Sequence, residues 1–391
     1  MQLFLEFKSL IKKNIREYGM YIALVVICAF FAIMTKGNFM SSRNISNLIS
    51  QSGYVAVLAV GMTLVLIIKW IDLSIGFVAG FLGALAAVLI VQQNMPMEIA
   101  CIIVILAGIG IGMFNGFLVA KVGVPAFVTT LAVMLIFRGS LLEITGATGT
   151  IVIPDEKFNA IGNGFIPDIA NVEGIHVLTL IIGMLAIVAY IISQFISRKN
   201  LKRYQFEVIS MPIFIFKLIF ISVLIGYIVW ILAGYNGLSW TAVVVALVVV
   251  IYHFIMSKTA LGRHIYGVGG NKEAAELSGI NVRRITFLVF TSMGMLAGLA
   301  GLLYTSRQRS AMPTAGTLFE LDAIAAAFVG GVSAAGGVGK VTGSIIGALV
   351  MCALPNGMKL MGVSISYEYI IRGVILVLAV VFDITTRKTK S

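Results

Sequence analysis

An all-α, polytopic membrane protein with about 10–12 transmembrane helices and both termini in the cytoplasm is the fold class this sequence predicts. Three observations predict it. Of 391 residues, 60% are hydrophobic and only 11% charged, against roughly 25% charged in an ordinary soluble domain. The mean hydropathy of +1.05 leaves too little polar surface to cover a soluble chain of this size. The apolar residues also fall in long unbroken runs, whereas a transmembrane barrel would show short alternating strands. Soluble globular, disordered and disulfide-rich secreted classes are therefore excluded. The three cysteines, Cys28, Cys101 and Cys352, lie inside apolar runs and form no disulfide framework.

A helix needs about 20 apolar residues to cross a bilayer. By that rule the spans fall near 18–34, 51–69, 74–92, 98–120, 125–144, 175–195, 212–233, 239–256, 285–305, 320–337, 341–359 and 366–383. The first has the basic-then-apolar order of a signal peptide. It ends at Thr35-Lys36-Gly37-Asn38 with no small-x-small cleavage site, so it reads as an uncleaved span. The segment 320–337 is rich in Ala and Gly and ends in Gly336-Gly337, a pattern that also fits two short pieces. The pairs Gly108/Gly112/Gly116, Gly76/Gly80, Gly294/Gly298 and Gly343/Gly347 have the small-xxx-small spacing of close helix packing.

Charge sets the orientation. With both termini inside, 19 of 28 Lys and Arg residues fall on the inner side, six on the outer, and three (Arg138, Lys217 and Arg372) within spans. Cytoplasmic loops carry just such a Lys/Arg excess. The net charge of +12 is thus a topology signal and implies no nucleic-acid partner. An external loop, 145–174, holds Asp155, Glu156, Asp168 and Glu173 against Lys157, and a further hairpin region covers 197–240.

The largest polar internal stretch is a cytoplasmic loop at 257–284. Asn271 can cap a short helix over Lys272–Ser278, and Gly279 can end it in the left-handed region. Ala274, Ala275 and Leu277 offer a small apolar surface between Glu273 and Glu276. Such a helix either enters a groove on another protein or is simply solvated. Gly336-Gly337-Val338-Gly339-Lys340 is a false phosphate loop: Ala334 replaces the first glycine and Val341 the Ser/Thr. His176, His253 and His264 lack metal-ligand spacing. No catalytic, cofactor-binding or metal-ligating set is evident. Charged groups at membrane depth are costly and point to function or to pairing. Asp72, Asn115, Arg138, Glu320 and Asp322 are accordingly candidates for a translocation path or for structural polar contacts. Glu368 and Arg372 form an i,i+4 pair.

Glu273-Ala274-Ala275-x-x-x-Gly279 resembles the EAA-x-x-x-G loop of ATP-binding-cassette importer permeases. Further stretches narrow the likeness to permeases of ribose, xylose and multiple-monosaccharide importers. Among them are Leu58-Ala-Val-Gly-Met-Thr63, Ile71-Asp-Leu-Ser-Ile-Gly76, Asn115-Gly116, Phe137-Arg138-Gly139, Gly262-Arg-His-Ile-Tyr266, Pro313-Thr-Ala-Gly316 and Glu320-Leu-Asp-Ala-Ile-Ala325. The resemblance implies a homodimeric, multi-pass subunit of the bacterial cell membrane that is not itself an enzyme. It implies a cytoplasmic ATPase, of double-cassette type, docked on Glu273, Ala274, Ala275, Leu277 and Gly279. That partner would bind the ATP and Mg, leaving this chain without cofactors. An extracytoplasmic sugar-binding protein would deliver the substrate. Ribose-type members have one span between the external loop and the EAA-like loop. Three fit within 175–256 here, as in the xylose and multiple-monosaccharide members. The proline that ends the broader pattern is absent after Ile285. An ion-coupled secondary transporter, or a permease for branched-chain amino acids or nucleosides, are the alternatives.

Overall fold

The computed structural model describes residues 15–146, 149–170, 174–206 and 208–388. Lys8, Lys12, Lys13, Glu173 and Lys390 lie outside them. The helices, in chain order, are α1 (Ile15–Met34), α2 (Ser42–Ile67), α3 (Ile75–Ala87, continued by a π-turn to Gln92), α4 (Met97–Phe117, continued likewise to Val122) and α5 (Ala126–Ile144). After β1 (Ile151–Val152) come α6 (Glu156–Asn163), α7 (Val177–Arg203), α8 (Met211–Ala233), α9 (Trp240–Lys258), α10 (Ala260–Gly270), α11 (Lys272–Leu277) and α12 (Val282–Gln308). β2 (Ser310–Ala311), α13 (Phe319–Val329), α14 (Val341–Leu360) and α15 (Ile365–Lys388) complete the order. Among the described residues, ten helices are long and apolar enough to cross a membrane: α2–α5, α7–α9, α12, α14 and α15.

Two boundaries differ from the sequence expectation. α2 begins at Ser42 rather than near 51, because Ser41 caps it by accepting from Asn44 N. Its early polar turns are buried at Ser46, Ser50 and Ser52, where a hydropathy window sees only serine. α7 runs on to Arg203 and takes in the basic residues of its last turn, whose charge suits a helix C-terminus. The hairpin is therefore α7 and α8 themselves, with a short turn between them.

The segment 320–337 does not cross as one helix. α13 has 11 residues, about 16 Å of rise against a core of roughly 30 Å. Gly331, Gly336 and Gly337 then take positive φ values of 86°, 77° and 70°. The non-helical segment that follows packs on the end of α2, where Gly337 N donates to Ile67 O at 2.9 Å, with Ser333, Gly336 and Gly339 buried and Ala334, Ala335 and Val338 exposed.

The core forms around α12, which packs on α4, α3 and α2. Glycine spacing makes this possible. A Cβ built on Gly294 would stand 2.2 Å from Gly108 O, and one on Gly301 would stand 2.3 Å from Ala79 O. α14 packs on α13 the same way, through Gly347 against Ala326. The α7–α8 pair instead presents large exposed apolar side chains such as Ile219, Phe220 and Val223.

The two ends of the bundle differ. At one, β1 pairs antiparallel with β2, Ile151 opposite Ala311. There Asn163 Nδ2 donates to Ser306 O (2.8 Å), and Arg307 donates to Asn163 Oδ1 (2.9 Å) and Asn47 Oδ1 (3.2 Å). Among the described residues of this loop, β1 and α6 thus pack over this end of the bundle. At the other end α10 and α11 lie against the ends of α2, α9 and α12. The 257–284 loop is more helical than its sequence suggests. Thr259 caps α10 by accepting from Gly262 N (3.3 Å), a start signal hidden among glycines.

Candidate functional site

α11 is built as its residues dictate. Asn271 Oδ1 accepts from Ala274 N at 3.0 Å, and Gly279 closes the turn at φ 80°. Its two apolar faces part company. Leu277 is 90% exposed, while Ala275 is 5% exposed and turned into the bundle. Ala275 therefore does not belong to the free surface expected of it. The short helix is too tightly seated for a larger side chain there. The outward face comprises Glu273, Ala274, Glu276 and Leu277.

A groove of about 480 Å³ adjoins α11. Lys69, Lys121, Lys272 and Arg283 supply its cations and Glu276 its carboxylate, around Trp70. The false phosphate loop lies at this same end. Gly269 passes so close to Ile67 O that a Cβ would come within 1.9 Å, and Gly337 approaches Gly270 in the same layer. Its glycines serve backbone packing.

The candidate polar residues fall into three places. Asp72 and Asn115, each 2% exposed, belong to one knot. Asp72 Oδ1 accepts from Ser74 N (2.9 Å) and Ser74 Oγ (2.6 Å), and Asn115 Nδ2 donates to Ser74 Oγ (3.1 Å). This knot holds the non-helical step between α2 and α3 onto α4. Glu320 and Asp322 open α13. Arg372 of α15 donates to both Asp322 oxygens at 2.9 Å and also pairs with Glu368. The i,i+4 pair is thus part of a triad that ties α15 to α13. Arg372 joining Asp322 has no sequence signal, because the two lie 50 residues apart. Glu320 Oε2 is buried beside Gly76 without a hydrogen-bond partner. Arg138 stands apart from the others, exposed on α5 with its guanidinium 5.6 Å from the Phe77 ring.

A helical bundle with these spans is the architecture of a multi-pass membrane protein. A family model described as "Branched-chain amino acid transport system / permease component" matches residues 44–380, and the chain belongs to that family. It is a multi-pass protein of the bacterial inner membrane. Among curated relatives, the xylose transport system permease protein XylH of Haemophilus influenzae is 39% identical over 96% of this chain and 98% of that protein. XylH of Escherichia coli K12 is 37% identical over 98% and 95%. The ribose import permease protein RbsC of Escherichia coli K12 is 33% identical over 95% of each. No solved structure matches the chain.

Proposed function

We propose that this chain is the membrane subunit of an ATP-driven importer for monosaccharides, with xylose the first candidate. The xylose permeases that match almost its whole length carry the substrate class. Two copies form the path. A cytoplasmic ATPase, of double-cassette type, binds ATP and Mg, and a sugar-binding protein delivers the substrate from outside. The Lys/Arg asymmetry supports placing the α11 end, with its basic groove, in the cytoplasm.

The observation that carries the docking site is Leu277, a fully presented apolar side chain on a capped helix at the basic end. An exposed leucine between carboxylates fits insertion into an apolar cleft on the ATPase. Binding of nucleotide closes the ATPase pair, and α11 passes that motion to α12 through their packed contact. Co-purification of the ATPase with the Leu277→Asp variant tests this. Loss of the ATPase from a membrane subunit that still elutes as a single species is the expected result. Full retention of the ATPase and of ATP-driven uptake contradicts it.

A further inference from the structure

Three basic residues lie within the spans expected from the sequence: Arg138, Lys217 and Arg372. Two are accounted for inside the chain. Arg372 pairs with Asp322 and Glu368. Lys217 sits near the start of α8 and donates to Gln194 Oε1 at 3.3 Å. Arg138 has no hydrogen-bond or ion-pair partner among the described residues, and it is exposed.

Its depth makes that exposure informative. The Phe81 and Phe137 rings lie 5.1 Å apart, which sets the relative height of α3 and α5. The Arg138 guanidinium reaches over Phe77, one turn earlier on α3 and two residues after the start of that helix at Ile75. Arg138 itself stands six residues before the end of α5 at Ile144, about 9 Å of helix rise. Both helices run toward the β1–β2 end, so the side chain points back into the membrane and away from the nearer interface at Ile144. A snorkelling arginine would point the other way. Gly139 and Glu143 are exposed on the same helix, and Ser140 is half-buried. Apart from the Phe77 ring the guanidinium meets nothing among the described residues that accepts from its five donors, and such a group is costly against hydrocarbon.

We propose that the exposed face of α5 lines the water-filled sugar path between two copies of the chain, with Arg138 donating to hydroxyls of the passing sugar. The ligand class is a small, neutral, polyhydroxylated molecule, which a guanidinium meets with several donors and without charge neutralisation. This rests on the importer reading above and adds to it the wall of the path and a substrate contact.

The test uses single cysteines in a background with Cys28, Cys101 and Cys352 replaced by serine, in the assembled transporter. Arg138→Cys and Leu135→Cys, which lies one turn deeper on the same exposed face, are treated with a membrane-impermeant cationic thiol reagent from each side of the membrane. Ile219→Cys, on the exposed apolar face of α8, is the lipid-facing control. Both α5 positions should react at least tenfold faster than the control. Reaction as slow as the control at both overturns the path assignment. Arg138→Gln should raise the KM for sugar uptake at least tenfold, and an unchanged KM overturns the sugar contact. ATP dependence is measured on the unmodified transporter. Its loss there would defeat the importer reading, whereas slow labelling in a working ATP-driven transporter defeats only this proposal.

Discussion

Asp168 shows how single residues hold the cap end. Its carboxylate accepts amide hydrogens from Ile169 (2.8 Å), Val177 (2.8 Å) and Leu178 (2.8 Å), closing the loop onto the start of α7. Desolvation works to raise its pKa, but the amide donors of Leu178, Val177 and Ile169, and then His176, outweigh it and hold the carboxyl below its ordinary value. A carboxyl whose folded pKa is depressed contributes stability above its unfolded pKa and loses it as pH falls through the folded one. Asp168→Ala should therefore lower the Tm at pH 7, and the gap from the parent should narrow as pH falls below about 4. Melting curves across pH check it; a gap that widens toward acid contradicts the account. Ala275 makes a different point at the same scale. Its burial means that Ala275→Arg acts on the fold, by forcing a charge into a packed site. The variant should lose thermal stability even with no ATPase present, whereas Leu277→Asp should not. The short helix, its cap and its terminating glycine were legible in the sequence. The inward turn of Ala275 was not, because it depends on where α10 and α12 lie.

At the scale of elements, the glycine pairs decide how close helices come. Gly294 and Gly108 meet backbone to backbone, so Gly294→Leu must separate α12 from α4. Overpacking of this kind costs about 1–3 kcal/mol or more. The variant should lose monodispersity or melt at markedly lower temperature, and an unchanged melting curve would contradict the packing. The Arg372 triad gives a second prediction. Removing one partner of a buried ion pair costs about 3–5 kcal/mol, because the other charge is left uncompensated. Arg372→Ala should destabilise the chain, and Arg372→Ala with Asp322→Asn should recover part of the loss in a double-mutant comparison. The close-packing glycines could be read from spacing alone. The half-length of α13 could be suspected from Gly336-Gly337. The early start of α2 and the cap of α10 could not, since polar and glycine residues there become helical through tertiary contacts.

At the scale of the whole molecule, composition already specifies a membrane bundle, and the Lys/Arg asymmetry supports the proposed direction. The motifs resembling monosaccharide permeases run in order along the chain, and the xylose relatives match nearly all of it. The distinction among the polar candidates was beyond the sequence. Asp72 and Asn115 sit in a buried hydrogen-bonded knot and Asp322 in an ion-pair triad, while Arg138 alone among the five is exposed. Membrane-depth charge looks the same in a sequence whether it faces a partner helix or a path. The orientation is open to labelling. A cysteine at Gly174, which has open space around it, should react with impermeant reagent in intact cells, and one at Leu277 only after the membrane is opened; the reverse pattern contradicts the proposed topology.

The most direct measurement is uptake of labelled xylose into proteoliposomes that hold this chain, with its ATPase on one face and its sugar-binding protein on the other. The expected result is accumulation that requires ATP hydrolysis and both partners, and that ceases when any one is withheld. Accumulation by the chain alone under a sodium or proton gradient, undiminished without ATP, would contradict it.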